Sequence, residues 1–384
     1  MHSESLVVFS HLDWNSVFQR PHHLMTRLAA HYQVWFVEEP RHGAQPRIDC
    51  RTAAPGLTVC TPYTAQEERG FGSRQNAAAA PGVRAVISRR AQPGPLAWLY
   101  TPMALSLARD LRPATLIYDC MDELTGFLFA SEELPARETD LLAAADLVFT
   151  GGPSLYRAKR HRHPRVHCFP SSVDAAHFRR ALSSAEALDV AALRRPRVGY
   201  YGVIDERIDY ALLDEVAHLR PSWELIMVGP IVKIDPSCLP RRRNIHFLGP
   251  RSYDALPRYL ASWDVCMLPF ARNDATRFIS PTKTLEYMAA ERPVVSTPIR
   301  DVQDLYGHVV NIAETGAQFT AACERLLSES PAERERRCAA MRDVVAGTSW
   351  DGTVTAMREL IIARRRVSTP LRRAAAVGES RSFT

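Results

Sequence analysis

Residues 277–290 read Arg-Phe-Ile-Ser-Pro-Thr-Lys-Thr-Leu-Glu-Tyr-Met-Ala-Ala and lie between two short apolar runs, Asp264–Pro269 and Pro293–Ser296. The pattern predicts a helix over Thr282–Ala290 between two strands, because Pro281 suits a first helical turn. Short apolar runs that alternate with amphipathic stretches are typical of βαβ units. Such units build parallel sheets, whose ligands bind beyond the C-terminal ends of the strands.

The same alternation continues in both directions through the 384 residues and predicts an α/β fold. It restarts with a new phase after a polar, Ala-rich connection that ends near residue 196. We therefore expect two doubly wound domains, 1–180 and 195–346, which face each other across a cleft. A final helix over 347–366 and a basic, disordered tail over 367–384 are expected to follow.

The predicted strands are short and apolar. They cover residues 6–9, 34–37, 95–100, 115–118, 147–150, 166–169, 197–201, 223–228, 245–248, 264–269 and 293–296. Residues 64–95, which are rich in Ala, Gly, Pro, Gln and Arg, are predicted to form a long loop, and residues 179–196 a polar connection.

Composition excludes several classes of protein. The formal net charge is +6, and residues 364–384 contribute +5 of it from six Arg and one Glu. The rest of the chain is therefore close to neutral, which argues against a dedicated nucleic-acid binder. No apolar run approaches the ~18 residues that span a bilayer, and Leu6–Phe9 is typical of a core strand rather than a signal peptide. Eight scattered cysteines without a CxxC pair indicate reduced, mostly buried thiols of a cytosolic protein.

Residues 280–286 combine three features that suit a phosphorylated ligand. Free N–H groups at a helix start attract phosphate oxygens, and Lys283 would add a positive charge. Glu286 follows at i+3 on the same face, where its carboxylate could accept the hydroxyls of a ribose. The alternative is an ordinary capped helix with a Lys283–Glu286 pair.

Ser280-Pro281-x-Lys283-x-x-Glu286-Tyr287, followed by Arg292–Thr297, resembles the donor-site segment of GT-B glycosyltransferases. The similarity is greatest to family 4-like enzymes of bacterial polysaccharide and teichuronic-acid-type biosynthesis. Three other stretches resemble the same family: Val198–Gly202, Leu225–Pro230 and Phe169–Asp174. The resemblance implies two Rossmann-like domains, with an acceptor bound by the N-terminal one and a nucleotide-diphosphate sugar, UDP- or GDP-linked, bound by the C-terminal one. It also implies that the last helix, 347–366, crosses back and packs on the N-terminal domain.

The resemblance also implies a set of donor-binding residues and no cofactor. The implied donor site consists of Gly202, Arg207, Gly229, Pro230, Ser280, Pro281, Thr282, Lys283 and Glu286. Metal is not expected, because cationic side chains can neutralise the departing diphosphate. One departure is Phe278, which stands where many family members have a first glutamate that contacts the donor sugar. This difference leaves the choice between retaining and inverting chemistry open.

Arg207 lies in the loop after the first strand of the second domain. A guanidinium at this place could bind the β-phosphate and stabilise the leaving group. The alternative is a surface arginine paired with Asp205 or Asp209.

Three carboxylates, Asp119, Asp122 and Glu123, follow an apolar strand in the N-terminal domain. An inverting enzyme needs a general base near the acceptor hydroxyl, and we favour Asp122 over Asp119 for this role. Helix capping by Asp122 and its neighbours is the alternative.

The loop after the first strand carries further candidates for the acceptor side: Trp14, Gln19, Arg20 and His22. Aromatic and amide groups suit sugar recognition. Trp14 could equally pack on a neighbouring strand, and His22 could be solvated or take part in a helix cap.

The expected function is transfer of a sugar from a nucleotide sugar to a saccharide or lipid-linked acceptor in cell-surface polysaccharide synthesis. We expect a cytoplasmic protein that could contact anionic lipids at the inner face of the membrane through its basic tail. Two alternatives remain: a non-hydrolysing sugar-nucleotide epimerase, and a non-catalytic sugar-nucleotide-binding subunit of an assembly complex.

Overall fold

A computed structural model describes residues 4–89 and 94–379, with the side chains of 367–379 excepted. The described residues form two mostly parallel sheets, one in each half of the chain. The α/β class and the pair of doubly wound sheets predicted from the sequence are confirmed, and each predicted strand is present with ends shifted by at most two residues.

The first sheet has the strand order β3-β5-β2-β1-β6-β7-β8-β9, with β4 paired antiparallel to β5 at one edge. Its strands are β1 (Ser5–Phe9), β2 (Gln33–Val37), β3 (Arg41–His42), β4 (Arg47–Ala54), β5 (Leu57–Thr64), β6 (Leu96–Leu99), β7 (Thr115–Cys120), β8 (Leu147–Thr150) and β9 (Val166–Cys168). The central strands are buried on both faces, which explains why Leu6–Phe9 and Leu96–Leu99 are continuous apolar runs.

The second sheet is wholly parallel, in the order β12-β11-β10-β13-β14-β15. Its strands are β10 (Arg197–Tyr201), β11 (Glu224–Val228), β12 (Ile245–Phe247), β13 (Val265–Leu268), β14 (Val294–Ser296) and β15 (Asn311–Ile312). The order places β10 next to both β11 and β13, so the loop after β10 lies at the switch point where such sheets bind ligands.

Helices connect the strands and cover the sheets. The α-helices are α1 (Arg20–Leu28), α2 (Ser73–Ser88), α3 (Leu105–Asp110), α4 (Leu134–Ala144), α5 (Pro153–Lys159), α6 (Ala175–Arg179), α7 (Leu188–Ala191), α8 (Tyr210–Leu219), α9 (Leu256–Ser262), α10 (Lys283–Ala289), α11 (Arg300–Tyr306), α12 (Gly316–Leu327), α13 (Pro331–Ala346) and α14 (Trp350–Glu379).

The last helix, α14, returns to the first sheet. Trp350, Val354, Met357 and Ile361 are buried in one core cluster with residues of β1, β2 and β6. Their spacing places them on one face of the helix. The C-terminal half of the chain is thereby attached to the N-terminal domain at a point away from the linker.

Two predictions about connecting segments need correction. The long loop predicted at 64–95 contains α2, because its alanine-rich run favours a helix that buries Ala79, Val83 and Ile87; residues 90–93 lie outside the described part. The connection at 179–196 is not merely polar, since Val190 is fully buried against the second domain.

The disordered tail predicted at 367–384 is also corrected. Helix α14 continues to Glu379 instead of ending at Arg366. Residues 380–384 lie outside the described residues.

Candidate active site

A cavity of about 100 Å³ lies where the carboxyl ends of the two sheets meet. It is lined by Gln19, Arg20, Met121, Asp122, Ser171, Arg207, Phe270, Ile279, Ser280, Pro281, Thr282 and Lys283. Residues of both domains therefore share one cleft, and most of them come from the segments singled out in the sequence.

Lys283 begins α10 and points toward the loop after β10. Its Nζ lies 5.5 Å from the ring centre of Tyr200 and 5.9 Å from that of Phe270. Burial, reinforced by the nearby Arg207, lowers the pKa of Lys283 to about 8. No ion pair joins Lys283 to Glu286 in the described chain, so the lysine is available to an anionic ligand.

The helix start itself offers less to a phosphate than the sequence suggests. Helix α10 has seven residues, and the N–H groups of Thr284 and Leu285 already donate to the carbonyl oxygens of Pro281 and Thr282, both at 3.1 Å. Short i→i−3 bonds of this kind satisfy the orphan donors of a first helical turn. Anion binding here therefore depends mainly on side-chain charge.

Arg207 is paired with a neighbouring carboxylate and also lines the cavity. Its Nε and Nη2 donate to the carboxylate of buried Asp205 at 2.8–3.1 Å, as the alternative hypothesis expects. The guanidinium nevertheless lines the cavity and lies 5.4 Å from the ring centre of Phe127 of the first domain. Asp205 thus fixes the orientation of a cation that faces the cleft.

Glu286 lies one helical turn after Lys283 in α10 and does not line the cavity. It is 6% exposed, and its Oε2 accepts a hydrogen bond of 2.6 Å from the hydroxyl of Tyr201. Burial raises the pKa of Glu286 to about 7. One carboxylate oxygen therefore already accepts a hydrogen bond from Tyr201, and the other has no side-chain partner among the described residues.

Two glycines shape the backbone beside Lys283. Gly202 follows β10 with φ of +138°, and a Cβ at this position would lie 2.8 Å from Lys283 Nζ. Gly229 follows β11 with φ of +151° and packs its Cα directly on the carbonyl group of Gly202. Both positions require glycine because of conformation and close approach together. Pro230 lies next to this contact, and its carbonyl oxygen accepts a 2.9 Å hydrogen bond from the N–H of Ile204.

The three carboxylates after β7 have different partners. Asp119 is fully buried and accepts hydrogen bonds from Nε and Nη2 of Arg20 at 3.2 and 3.0 Å, and Glu123 forms an ion pair of 2.6 Å with Lys159. Asp122 alone of the three lines the cavity.

The surroundings of Asp122 affect its pKa in opposite directions. Burial raises this pKa, while Arg207, Arg20, Lys283 and Lys233 oppose the effect. A carboxylate with a raised pKa suits a general base that works near neutral pH.

The residues assigned to the acceptor side divide into two groups. Gln19 and Arg20 line the cavity, and Arg20 also donates to the carbonyl oxygen of Phe169 at 2.8 Å. Trp14 and His22 do not line it. Trp14 packs edge-on against Phe36 of β2, with ring centres 5.0 Å apart.

His22 takes part in the cap of α1 and is 3% exposed. Its Nδ1 accepts from the N–H of Gln19 at 3.1 Å, and its Nε2 lies 2.7 Å from the carbonyl oxygen of Trp14. Both ring nitrogens are therefore engaged within the loop, as the helix-cap alternative expects, and the structure does not bring His22 to the cavity.

Phe278 lies where many family members have a glutamate, and it performs a packing role. Its half-buried ring packs against the core of the N-terminal domain, and Arg277 lies 5.1 Å from the ring centre. The position thus joins the two domains instead of presenting a polar group to a sugar.

The sequence does not predict the contacts that close the cleft between the two domains. Thr282 donates to Ser171 Oγ at 3.1 Å, and the N–H of Leu128 donates to a carboxylate oxygen of Glu206 at 3.1 Å. Ser154 donates its N–H to Asp301 at 3.0 Å, and its hydroxyl bonds to the same oxygen. Ser171 belongs to the Phe169–Asp174 stretch, but nothing in the local sequence indicates that its partner is Thr282.

The described residues hold neither a metal-binding cluster nor a membrane-spanning helix. They contain no cluster of three or more His, Cys, Asp or Glu placed to hold a metal ion. In the same part of the chain, no helix combines the length and apolar character needed to cross a membrane.

Residues 195–329 match the model of the family described as glycosyl transferases group 1. The chain is also 25% identical over 160 residues to the Bacillus subtilis (strain 168) protein that carries the name teichuronic acid biosynthesis glycosyltransferase TuaH. This match covers 40% of each protein, so the chain is aligned with less than half of its relative.

Solved structures extend the similarity to almost the whole fold. A sucrose-phosphate synthase from Thermosynechococcus elongatus superposes with a TM-score of 0.71 at 17% identity, over 94% of this chain and 98% of that one. An E. coli trehalose-6-phosphate structure bound with UDP-2-fluoro glucose gives 0.69 at 11% identity, over 94% and 99%. Anabaena Alr3699/HepE in complex with UDP and glucose gives 0.67 at 14% identity, over 93% and 99%. The GT-B fold expected from the sequence is confirmed.

Proposed function

We propose that this chain is a metal-independent glycosyltransferase that moves a sugar from a nucleoside diphosphate to a saccharide or lipid-linked saccharide acceptor. The observation that carries the proposal is the meeting of Arg207 and Lys283 from one domain with Asp122 from the other around a single cavity. The domain that supplies both cations is the one that matches the group 1 glycosyltransferase family. Cations beside the leaving group and a carboxylate beside the acceptor are what sugar transfer requires.

The donor would lie along the start of α10. Lys283 and Arg207 bind the diphosphate, Ser280–Thr282 line its path, and Gly202 allows the backbone to approach it closely. Glu286, held by Tyr201, accepts a ribose hydroxyl through its second oxygen. UDP is the first nucleotide to test, since structures with the same fold contain UDP or a UDP-sugar.

The reaction breaks the bond between the anomeric carbon and the β-phosphate oxygen and forms a bond to the acceptor oxygen. The leaving diphosphate keeps the electron pair, and Lys283 and Arg207 neutralise its charge. In an inverting reaction, Asp122 takes the proton of the acceptor hydroxyl. Asp119 positions Arg20 instead, because both of its oxygens are engaged by that guanidinium.

The acceptor belongs to cell-surface polysaccharide synthesis in this proposal. Support comes from the name of the Bacillus subtilis relative and from Gln19 and Arg20 on the N-terminal wall of the cleft. The basic tail 367–384 would bring the enzyme to anionic lipids at the cytoplasmic face, where each charge contributes about 1 kcal/mol. No observation in the described residues favours the epimerase or the non-catalytic subunit.

The proposal requires the cleft to open. A cavity of about 100 Å³ is smaller than the roughly 300–1,000 Å³ typical of small-molecule sites. Contacts between the domains, such as that between Ser171 and Thr282, close the entrance. The structure therefore corresponds to a closed arrangement, and donor binding is expected to separate these contacts.

The test is a thermal-unfolding screen of the full chain with UDP, GDP, ADP and TDP. A nucleotide present at a hundred times its dissociation constant should stabilise the folded chain by about 2.7 kcal/mol. The responding nucleotide should lose most of this effect in Lys283→Ala. Absence of stabilisation by every nucleotide would contradict the proposal.

Lys233→Ala is the matched control, since it also removes an ammonium group near the cleft. Lys233 is 40% exposed, pairs with Glu206 at 3.8 Å and does not line the cavity. It should retain most of the stabilisation. Incubation of the responding sugar nucleotide without acceptor separates the alternatives, because an epimerase would convert it to an epimer.

A further inference from the structure

A second cavity lies on the opposite edge of the second sheet from the cleft. Its volume is about 370 Å³, and Asp264 and Pro293 place it at the amino ends of β13 and β14. Three arginines line it, Arg292, Arg334 and Arg337. No element of the proposed donor site contributes a side chain to this cavity except α10, whose C-terminal end reaches its wall.

The carboxylates in the wall of this cavity are already neutralised. Asp264 pairs with Arg195 and also accepts the N–H of Arg197 at 2.8 Å. Glu291 forms an ion pair of 3.0 Å with Arg342. Neither Arg195 nor Arg342 lines the cavity, so both carboxylates are compensated from outside it.

Two of the three arginines, in contrast, form no ion pair with a described residue. Arg337 is paired with Glu329 at 2.9 Å. Among the described residues, the side chains of Arg292 and Arg334 form no ion pair or hydrogen bond, and the Nε of Arg292 is buried without a partner. Burial lowers the pKa of Arg292; Cys266 and Asp264 oppose this effect, and Arg195 and Arg334 add to it. Because Arg292 is partly buried and unpaired, an anion that joins it would stabilise its charge, whereas Arg334 is exposed and remains solvated until a ligand binds.

We propose that this cavity is a second ligand site that binds the phosphate group of a small phosphorylated molecule. Guanidinium groups fit phosphate oxygens through paired N–H donors, and Arg292 and Arg334 supply them without breaking an existing contact. The cavity exceeds the size of a phosphate ion, and Leu326 and Leu327 provide an apolar wall for the organic part of the ligand.

The site is separate from the proposed donor site. Helix α10 has seven residues, so its two ends are on the order of 10 Å apart. Lys283 at its start faces the cleft, whereas Ala290 and Glu291 after its end line the second cavity. A ligand in the second cavity therefore does not occupy the cleft, and the inference does not depend on the proposed function.

The test is calorimetric titration of the full chain with phenyl phosphate and with inorganic phosphate. We expect Arg334→Gln to weaken phenyl phosphate binding about tenfold or more, since it removes a charged hydrogen-bond donor from an exposed position that folding does not require. Arg336→Gln is the matched control, because it removes the same charge from the same helix outside the cavity. It should bind like the unmodified chain.

Lys283→Ala separates this proposal from the first one. Phenyl phosphate binding that survives Lys283→Ala and is lost in Arg334→Gln supports the second site. Binding that is lost in Lys283→Ala and unchanged in Arg334→Gln belongs to the cleft and overturns the inference, as does equal behaviour of Arg334→Gln and Arg336→Gln. Inorganic phosphate should bind more weakly than phenyl phosphate; equal binding would overturn the assignment of the apolar wall.

Discussion

Asp122 lies near Lys283 and Arg207, the two cations that we assign to the donor diphosphate, and near two further cations. Arg207, Arg20, Lys283 and Lys233 all act on its charge, and no hydrogen bond of its carboxylate is present in the described structure. Before donor binding, this carboxylate partly neutralises the site. After donor binding, it repels the diphosphate and is free to accept a proton.

Asp122→Asn should therefore change binding and transfer in opposite directions. We expect nucleoside diphosphate affinity to increase about three- to tenfold, because a negative charge near the phosphates is removed. Sugar transfer should fall by about 10²- to 10⁴-fold if the carboxylate is the general base. Calorimetry and a transfer assay with the same preparation measure the two effects.

Asp110→Asn provides the control for loss of one negative charge, since Asp110 is exposed at the end of α3. Asp110→Asn should change neither the nucleoside diphosphate affinity nor the rate of sugar transfer. Weaker diphosphate binding by Asp122→Asn would show that this carboxylate supports the donor site instead of opposing it.

Residue types could be predicted from the sequence more readily than residue roles. Asp119, Asp122 and Glu123 all carry a carboxylate, and all three lie within residues 119–123. Their partners distinguish them, since Arg20 and Lys159 lie far from them in the sequence and occupy Asp119 and Glu123. Local patterns hold no information about such long-range pairs.

Helix α10 and strand β10 bury the carboxylate of Glu286, and burial disfavours its charged form. Glu286 is buried between them, and its pKa of about 7 lies above the value of about 4.3 expected in an unfolded chain. A raised folded-state pKa gives stability that is fully present below the unfolded pKa and is lost as the pH rises through about 7. The pairing of these two elements is therefore expected to weaken above neutral pH.

Glu286→Gln should stabilise the chain at pH 8, because it removes the buried charge and keeps an acceptor for Tyr201. We expect an increase in the free energy of unfolding on the order of 1–3 kcal/mol at pH 8, fading toward pH 5. Denaturant titrations at the two pH values measure the difference. If the variant and the unmodified chain lose stability in parallel between pH 5 and 8, Glu286 does not carry this charge.

Strands with continuous apolar runs can be predicted from the sequence, whereas β4, β5 and helix α2, which lack such runs, cannot. Strand β4 has mostly exposed residues, and β5 contains Pro62, so neither shows a clear strand pattern. Their stability comes from pairing with each other and with β2. Helix α2 was obscured by Pro81 and Gly82 within it.

At the scale of the whole molecule, the two domains meet closely enough to require a glycine. A Cβ on Gly152 of the first domain would lie 2.7 Å from the Cβ of Ser280 of the second and would collide with Asp301. Gly152 has a φ of −173°, an extended conformation that alanine adopts without strain. Its substitution therefore acts on the interdomain contact alone.

Gly152→Ala should hold the domains apart. We expect a larger radius of gyration by small-angle X-ray scattering and slower sugar transfer, with folding retained. Gly347→Ala is the control, since its Cβ would make only ordinary contacts of 3.5 Å or more. Scattering by Gly152→Ala that matches both the control and the unmodified chain would contradict the closed arrangement.

The restart of the strand pattern predicts two domains. It does not predict that the domains pack closely against each other across the cleft. The contact between Ser154 and Asp301 joins residues 147 positions apart, and neither has a distinctive local sequence. Contacts of this kind depend on how two complete domains pack.

The central claim is that Lys283 and Arg207 recognise a diphosphate, and one calorimetric comparison tests it directly. The nucleoside diphosphate that stabilises the chain most is titrated against its own monophosphate, with the unmodified chain and with Lys283→Ala. The unmodified chain should prefer the diphosphate by about ten- to a hundredfold, and Lys283→Ala should lose most of that preference. Equal affinities for the two nucleotides, or a preference that survives the substitution, would contradict the claim.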